Sequence, residues 1–224
     1  MLKVISVTSQ PERAERLVKS LKKNGWDYEL IVCQWKGFGT KLIETYNYLK
    51  EHPEVAEFVF CDAHDVVVLG TPEEFKEKMN KYYSLKCFVI SAERGLWPPM
   101  LTPFKEFYCQ DNRFDRFVYP NSGLYYCPSN VFIELFEKYP PFHQIDDQYW
   151  INTIYLLNNL VDVEGVIYPE LDFIQCIFNS HSFISEGEYT YANGRSTHNT
   201  LGTSAVFLHG NGGGLPKEVY DLII

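Results

Sequence analysis

The chain has 224 residues, a net charge of −9 and a pI near 5.2. Its length and 46% hydrophobic content suffice for one sizeable core, and 22% charged residues is too ordinary a share for a disordered chain. The acidic balance disfavours a protein that grips nucleic acid mainly through phosphates, although a local basic groove survives that argument. No run approaches the roughly 18 to 20 apolar residues of a membrane span.

Residues 2–7 (LKVISV) read as a first strand, and residues 11–24 as a helix with Pro11 at its start and Gly25 just past its end. No basic segment with a long apolar run opens the chain, so a soluble, cytoplasmic protein is expected. Residues 28–33 (YELIVC) form a second strand, the loop QWKGFGT follows, and residues 41–50 look helical. EFVFCD is a third strand. TPEEFKEKMNK then opens a helix, with Thr71 as cap, Pro72 in the first position and Glu74 three residues after the cap. KCFVISAE is a fourth strand. Strands alternating with helices over the first 90 or so residues predict an α/β protein, with a mostly parallel sheet and helices on both faces.

The second half is less regular. Pro98, Pro99, Pro103 and Pro120 among aromatics predict a long ordered loop over residues 95–120. SGLYYC resumes strand character, SNVFIELFEKY and DDQYWINTIYLLNN read as helices, and GVIYPELDFIQCIFN supplies one or two late strands. A Gly-, Ser- and Asn-rich tail precedes the apolar run of AVFLHGNGGGLPK. No internal repeat appears and no break separates a second domain. The six cysteines lie far apart with no C-x-x-C pair, which argues against zinc; Cys33, Cys61, Cys87 and Cys127 sit in apolar runs and read as buried thiols.

The stretch FVFCDAHDVVVLGTPEEF places Asp62, His64 and Asp65 just past the end of a buried strand, where open α/β sheets bind ligands. Two aspartates three apart can converge on a hard cation, and an imidazole shifts the preference towards manganese. Alone, D-x-x-D reads as a turn. In VFLHGNGGG, however, His209 ends a second apolar strand before glycines that admit a phosphate closely, and Lys217 lies just beyond. Asp62, Asp65 and His209 therefore read as a facial metal site for a nucleotide diphosphate. ISVTS suits a base and ribose; Asn121, Ser122 and Gly123 sit at a strand entry; Glu93 and Trp97 lie on the loop after the fourth strand. Asp146 and Asp147 open a helix, as caps or as carboxylates that orient an acceptor hydroxyl.

In order and spacing, FVFCDAHDVVVLGTPEEF, VISAERGLWP, YPNSGLYY, IDDQYW, LDFIQCIFN and VFLHGNG resemble the glycosyltransferase domain of procollagen lysyl hydroxylases and related collagen glycosyltransferases, from about residue 4 to 220. The resemblance implies a GT-A fold over residues 1–224, with a nucleotide-binding half (1–94) and an acceptor and donor-sugar half (95–224). It implies Mn²⁺, with Mg²⁺ as substitute, on Asp62, Asp65 and His209. A UDP-sugar, UDP-glucose or UDP-galactose, would rest on Val7, Thr8, Trp35, Lys41, His64, Asn121, Asn211, Gly212 and Lys217. Asp146, Asp147, Glu93 and Trp97 match positions around the donor sugar and acceptor.

The implied activity is hexosyl transfer, with retention, to a hydroxyl of a protein, glycan, small molecule or modified base. The alternatives are a metal-dependent nucleotide-sugar phosphohydrolase and an inactive nucleotide-sugar-binding module. Three features depart from the family. His64 stands where tyrosine is usual, the acidic run before Gln148 is only two residues, and HGNGGGLPK carries extra glycines.

Overall fold

The computed structural model describes residues 1–108, 117–160, 169–211 and 215–223. Its main sheet contains β1 (Leu2–Thr8), β2 (Tyr28–Val32), β3 (Glu57–Cys61), β5 (Val89–Glu93), β6 (Tyr119–Pro128) and β7 (Glu170–Asp172), and β4 (Val66–Val68) lies outside it. The strand order is β2-β1-β3-β6-β5-β7. All neighbours run parallel except β6, which is antiparallel to both β3 and β5. The expected α/β, GT-A-like architecture is the one observed.

Alternation along the strands sends side chains to two cores. Ile5, Phe58, Phe60, Ile90 and Tyr125 face one side, with residues of α2 (Thr40–Glu51), α4 (Ser129–Lys138) and α5 (Asp147–Leu160). Val4, Val59, Cys61 and Tyr126 face the other, with α1 (Glu15–Lys23) and α3 (Pro72–Tyr82). The first helix begins as a 3-10 turn at Pro11 and ends before Gly25, whose φ of +74° suits glycine there. Thr71 caps α3 by accepting from the Glu74 amide at 3.3 Å. The Glu74 side chain does not reach back to the cap; it pairs with Arg195 and, at 2.6 Å, with Lys78.

Three expectations are corrected. The loop after β5 contains 3-10 helix over Pro99–Phe107, because prolines that forbid an α-helix still permit tight 3-10 turns. The polar tail is not irregular: β9 (Tyr189–Ala192), β10 (Arg195–His198) and β11 (Thr203–Ser204) form an antiparallel sheet. Cys33 and Cys87 are only half-buried, since each sits at or beyond a strand end; among the described residues five cysteines are free. Cys109 and the GVIY part of the late-strand stretch lie outside the described residues.

The late strands resolve into β7 and β8 (Phe178–Ser180). β4, β8 and β12 (Phe207–His209) form a second small sheet in the order β4-β12-β8, with His209 opposite both Val66 and Ser180. This pairing carries the end of β12 back to the turn after β3. Among the described residues, no helix is long and apolar enough to cross a membrane.

Candidate active site

β3 ends in Cys61, and the Asp62 amide continues its ladder by donating to the Gly123 carbonyl at 2.8 Å. The turn of residues 62–65 follows, and β4 starts at Val66. The Gly210 amide, one residue past β12, donates to the Asp65 carbonyl at 2.8 Å. Asp62, Asp65 and His209 thus meet at the junction of the two sheets, each offering a ligand atom within 4.8 Å of the others.

His209 is buried. Its Nδ1 lies 3.0 Å from Asn121 Oδ1, which also accepts the Gly123 amide at 2.9 Å. A backbone donor on the same atom fixes it as the amide oxygen, so Nδ1 carries a hydrogen and Nε2 is the nitrogen turned towards the carboxylates. Nε2 lies 3.3 Å from Asp65 Oδ1 and 3.8 Å from Asp62 Oδ2, yet it is buried without a hydrogen-bond partner. A buried, unpartnered imidazole nitrogen facing two carboxylates suits a divalent cation, and its opposite nitrogen is oriented as metal-bound histidines are. Burial disfavours charge on both partners, but their attraction prevails: His209 is raised, and Asp65 is lowered to about 2 by His209 and Lys41. The centre needs a glycine at 123, where a Cβ would come within 2.2 Å of His209 Cε1 and 2.7 Å of Asp62 Oδ2.

Two cavities meet at this centre, of about 420 and 340 Å³, and both are lined by Phe38, Lys41, Asp62 and Asp65. The larger holds Val7, Thr8, Trp35 and His64, all singled out in the sequence. Thr8 Oγ1 lies 2.9 Å from His64 Nε2, and burial, with Arg13 adding to it, lowers the His64 pKa and favours the neutral ring. The smaller holds Trp97, Asn121, Asp146, Asp147 and Asn211. Asn121, Ser122 and Gly123 lie inside β6 rather than at its entry, and Glu93 is the last residue of β5 rather than part of a loop, because the β5–β6 pairing extends to Glu93 and Tyr119.

Lys41, on α2, joins the two cavities. Its ammonium is 2.6 Å from Asp62 Oδ1 and 2.8 Å from Asp147 Oδ2. Burial opposes that charge, but Asp147 and Asp62 outweigh it and raise the Lys41 pKa well above the usual lysine range. Asp146 behaves as a cap: its Oδ1 accepts the Gln148 and Tyr149 amides at 2.9 and 3.2 Å, and Oδ2 accepts Trp97 Nε1 at 3.1 Å.

Glu93 is buried and bridges Gln148 Nε2 (2.7 Å) and Asn211 Nδ2 (2.6 Å). Burial raises its pKa to about 7 against the donors Asn121, Gln148 and Asn211. Gln148 also receives the Ser122 amide at 2.6 Å on Oε1 and donates to Pro120 O from Nε2 at 2.5 Å. Nothing in DDQYW distinguishes this glutamine from any other first-turn residue, and the sequence reading passed over it. Ser180, which donates to Asn211 Oδ1 at 2.9 Å, was equally silent.

Lys217 does not line either cavity. It opens α6 (Lys217–Ile223), exposed, in a neighbouring depression that shares Arg13 and His64 with the larger cavity. Gly212 lies outside the described residues.

The sequence matches the family described as PLOD GT domain over residues 2–217. Comparison with curated proteins returns no match. Among solved structures, a glycosyltransferase involved in the glycosylation of the major capsid of PBCV-1 superposes with a TM-score of 0.56 at 10% identity, over 99% of this chain and 98% of that one. Mouse xyloside xylosyltransferase 1, in its apo form, gives a TM-score of 0.49 at 11% identity over 96% and 98%. The capsid enzyme shares the fold, and the family match spans nearly the whole chain: the protein belongs to the PLOD glycosyltransferase-domain family, and is a glycosyltransferase of the GT-A fold.

Proposed function

We propose that the chain transfers glucose or galactose from a UDP-sugar, with retention, to an acceptor hydroxyl, and that the reaction depends on Mn²⁺, with Mg²⁺ as a substitute. The observation that carries this reading is His209 Nε2, buried without a hydrogen-bond partner beside Asp62 and Asp65 at the wall shared by two cavities. Residues 1–94 would supply most of the nucleotide side, and residues 95–224 the sugar and acceptor side.

Asp62, Asp65 and His209 would hold the cation, which supplies a Lewis acid against the charge that develops on departing UDP. The protein does the rest. Val7, Thr8, Trp35 and His64 border the space for uracil and ribose, and Asn211 opens the stretch that would receive the phosphates, with Gly212 and Lys217 following it in sequence. Lys41 holds Asp62 and Asp147 at fixed positions, so the carboxylates need no reorganisation during transfer. Asp147 orients the acceptor hydroxyl or the donor sugar. Glu93 holds Gln148 and Asn211 at the sugar end, and Trp97, braced by Asp146, walls the same space.

A panel of UDP-sugars with Mn²⁺, read by UDP release with and without candidate acceptors, tests this reading. Release that requires an acceptor supports transfer, and release at full rate without one would instead favour the phosphohydrolase. Asp62→Asn should abolish turnover with the fold intact; near-normal turnover would remove the metal-ligand assignment. The anomeric proton signal of fresh product, read by NMR, tests retention.

A further inference from the structure

Asp65 and His209 come from strands far apart in sequence, and their separation depends on the backbone that flanks them. The Asp65 carbonyl accepts two donors: the Gly210 amide at 2.8 Å and the Tyr220 hydroxyl at 3.0 Å. Tyr220 lies on α6 and is buried, with its ring among Val67, Leu69, Leu208 and Ile223. Arg16 of α1 covers that ring at 4.5 Å from its centroid. The hydroxyl also sits against the α-carbon of Gly210, where a Cβ would be 1.7 Å from it. One hydroxyl therefore touches the main chain of Asp65 and of the residue that follows His209.

We infer that Tyr220 is a positioning residue for the cation site: its hydroxyl fixes the Asp65 main chain against the His209–Gly210 segment and so sets the distance between two of the three candidate ligands. The inference rests on the cation reading above. A tyrosine that only filled the small core would need its ring and not its oxygen. Here the oxygen is placed on the carbonyl of a candidate ligand, and the neighbouring position has no room for any residue but glycine. Partners one shell out from a metal control affinity through ligand orientation, typically by roughly 10- to 100-fold.

Tyr220→Phe keeps the ring, the core packing and the Arg16 contact, and removes only the hydroxyl. Its test is Mn²⁺ titration of wild type, Tyr220→Phe and Asp65→Asn, read by loss of the free-ion EPR signal with neither donor nor acceptor present, beside thermal unfolding of each metal-free protein. We expect Tyr220→Phe to unfold close to wild type while its Mn²⁺ dissociation constant rises about tenfold, and Asp65→Asn to lose binding further. Tyr220→Phe with wild-type Mn²⁺ affinity, beside a weakened Asp65→Asn, overturns the positioning role and leaves the cation reading standing. Equal binding by wild type and Asp65→Asn overturns the cation reading and this inference with it.

Discussion

The cation centre and the mouth of the sugar-side cavity are built on opposite principles. At the centre, His209 is buried, Asn121 orients its ring, and strand pairing on both sides holds Asp62 and Asp65. At the mouth, Trp97 is 55% exposed and Phe38 56% exposed, and Trp97 is tied by one hydrogen bond from its indole to Asp146. Groups held at strand ends keep their positions without substrate, which suits stabilising developing charge. Aromatics on loops have an apolar face to offer and room to adjust, which suits choosing between acceptors.

Variants should separate the two regions, and the largest effect belongs to the centre. His209→Ala should reduce UDP-sugar turnover about 10²- to 10³-fold, in the range for lost electrostatic stabilisation, with Mn²⁺ binding lost in parallel. Steady-state UDP release measures it, and a loss below tenfold would detach the imidazole from the chemistry.

Lys41→Met should come next, because it leaves Asp62 and Asp147 facing each other with no cation between them. Removing one partner of a buried ion pair costs about 3–5 kcal/mol, so urea unfolding should show a loss of that order together with lost turnover. The third effect is pH-dependent and belongs to Glu93. Its folded pKa of about 7 lies above the ordinary value of 4.5, so the fold favours the protonated acid. Its contribution to stability should be full below pH 4.5, be lost as pH rises towards 7 and stay lost above it, on the order of 3 kcal/mol in all. Glu93→Gln should make the slope between pH 4.5 and 7 shallower than in wild type, both measured metal-free; a slope unchanged from wild type would place the titrating group elsewhere.

The smallest effect on the fold is expected at Trp97. Trp97→Ala should change stability by less than about 1 kcal/mol, as surface substitutions do, while raising KM for acceptor or donor by about tenfold. Unchanged KM would deny the mouth its role in substrate choice.

The same contrast explains what the sequence revealed. The acidic turn was legible because an apolar run, two carboxylates and the Thr71 cap follow one another without a gap, and local patterns of this kind survive folding. The parallel first half was legible for the same reason. His209 was legible as a strand end before glycines, but the partner that brings it home was not. β4, β8 and β12 are three residues each, too short for periodicity to show, and their pairing is a long-range contact. The β9–β11 sheet was hidden because its strands are polar and short. Gln148 was invisible for a different reason: its three-way role depends on Glu93, Pro120 and Ser122 arriving from β5 and β6. Asp146 was readable as a cap, and the structure gives it that work.

The account stands on one cation placed by Asp62, Asp65 and His209. The most direct test is a crystal grown with MnCl₂ and UDP and measured at the manganese absorption edge. The account predicts an anomalous peak among those three side chains, abolished in crystals of Asp65→Asn. A peak elsewhere, or none at a manganese concentration that supports turnover, would contradict it.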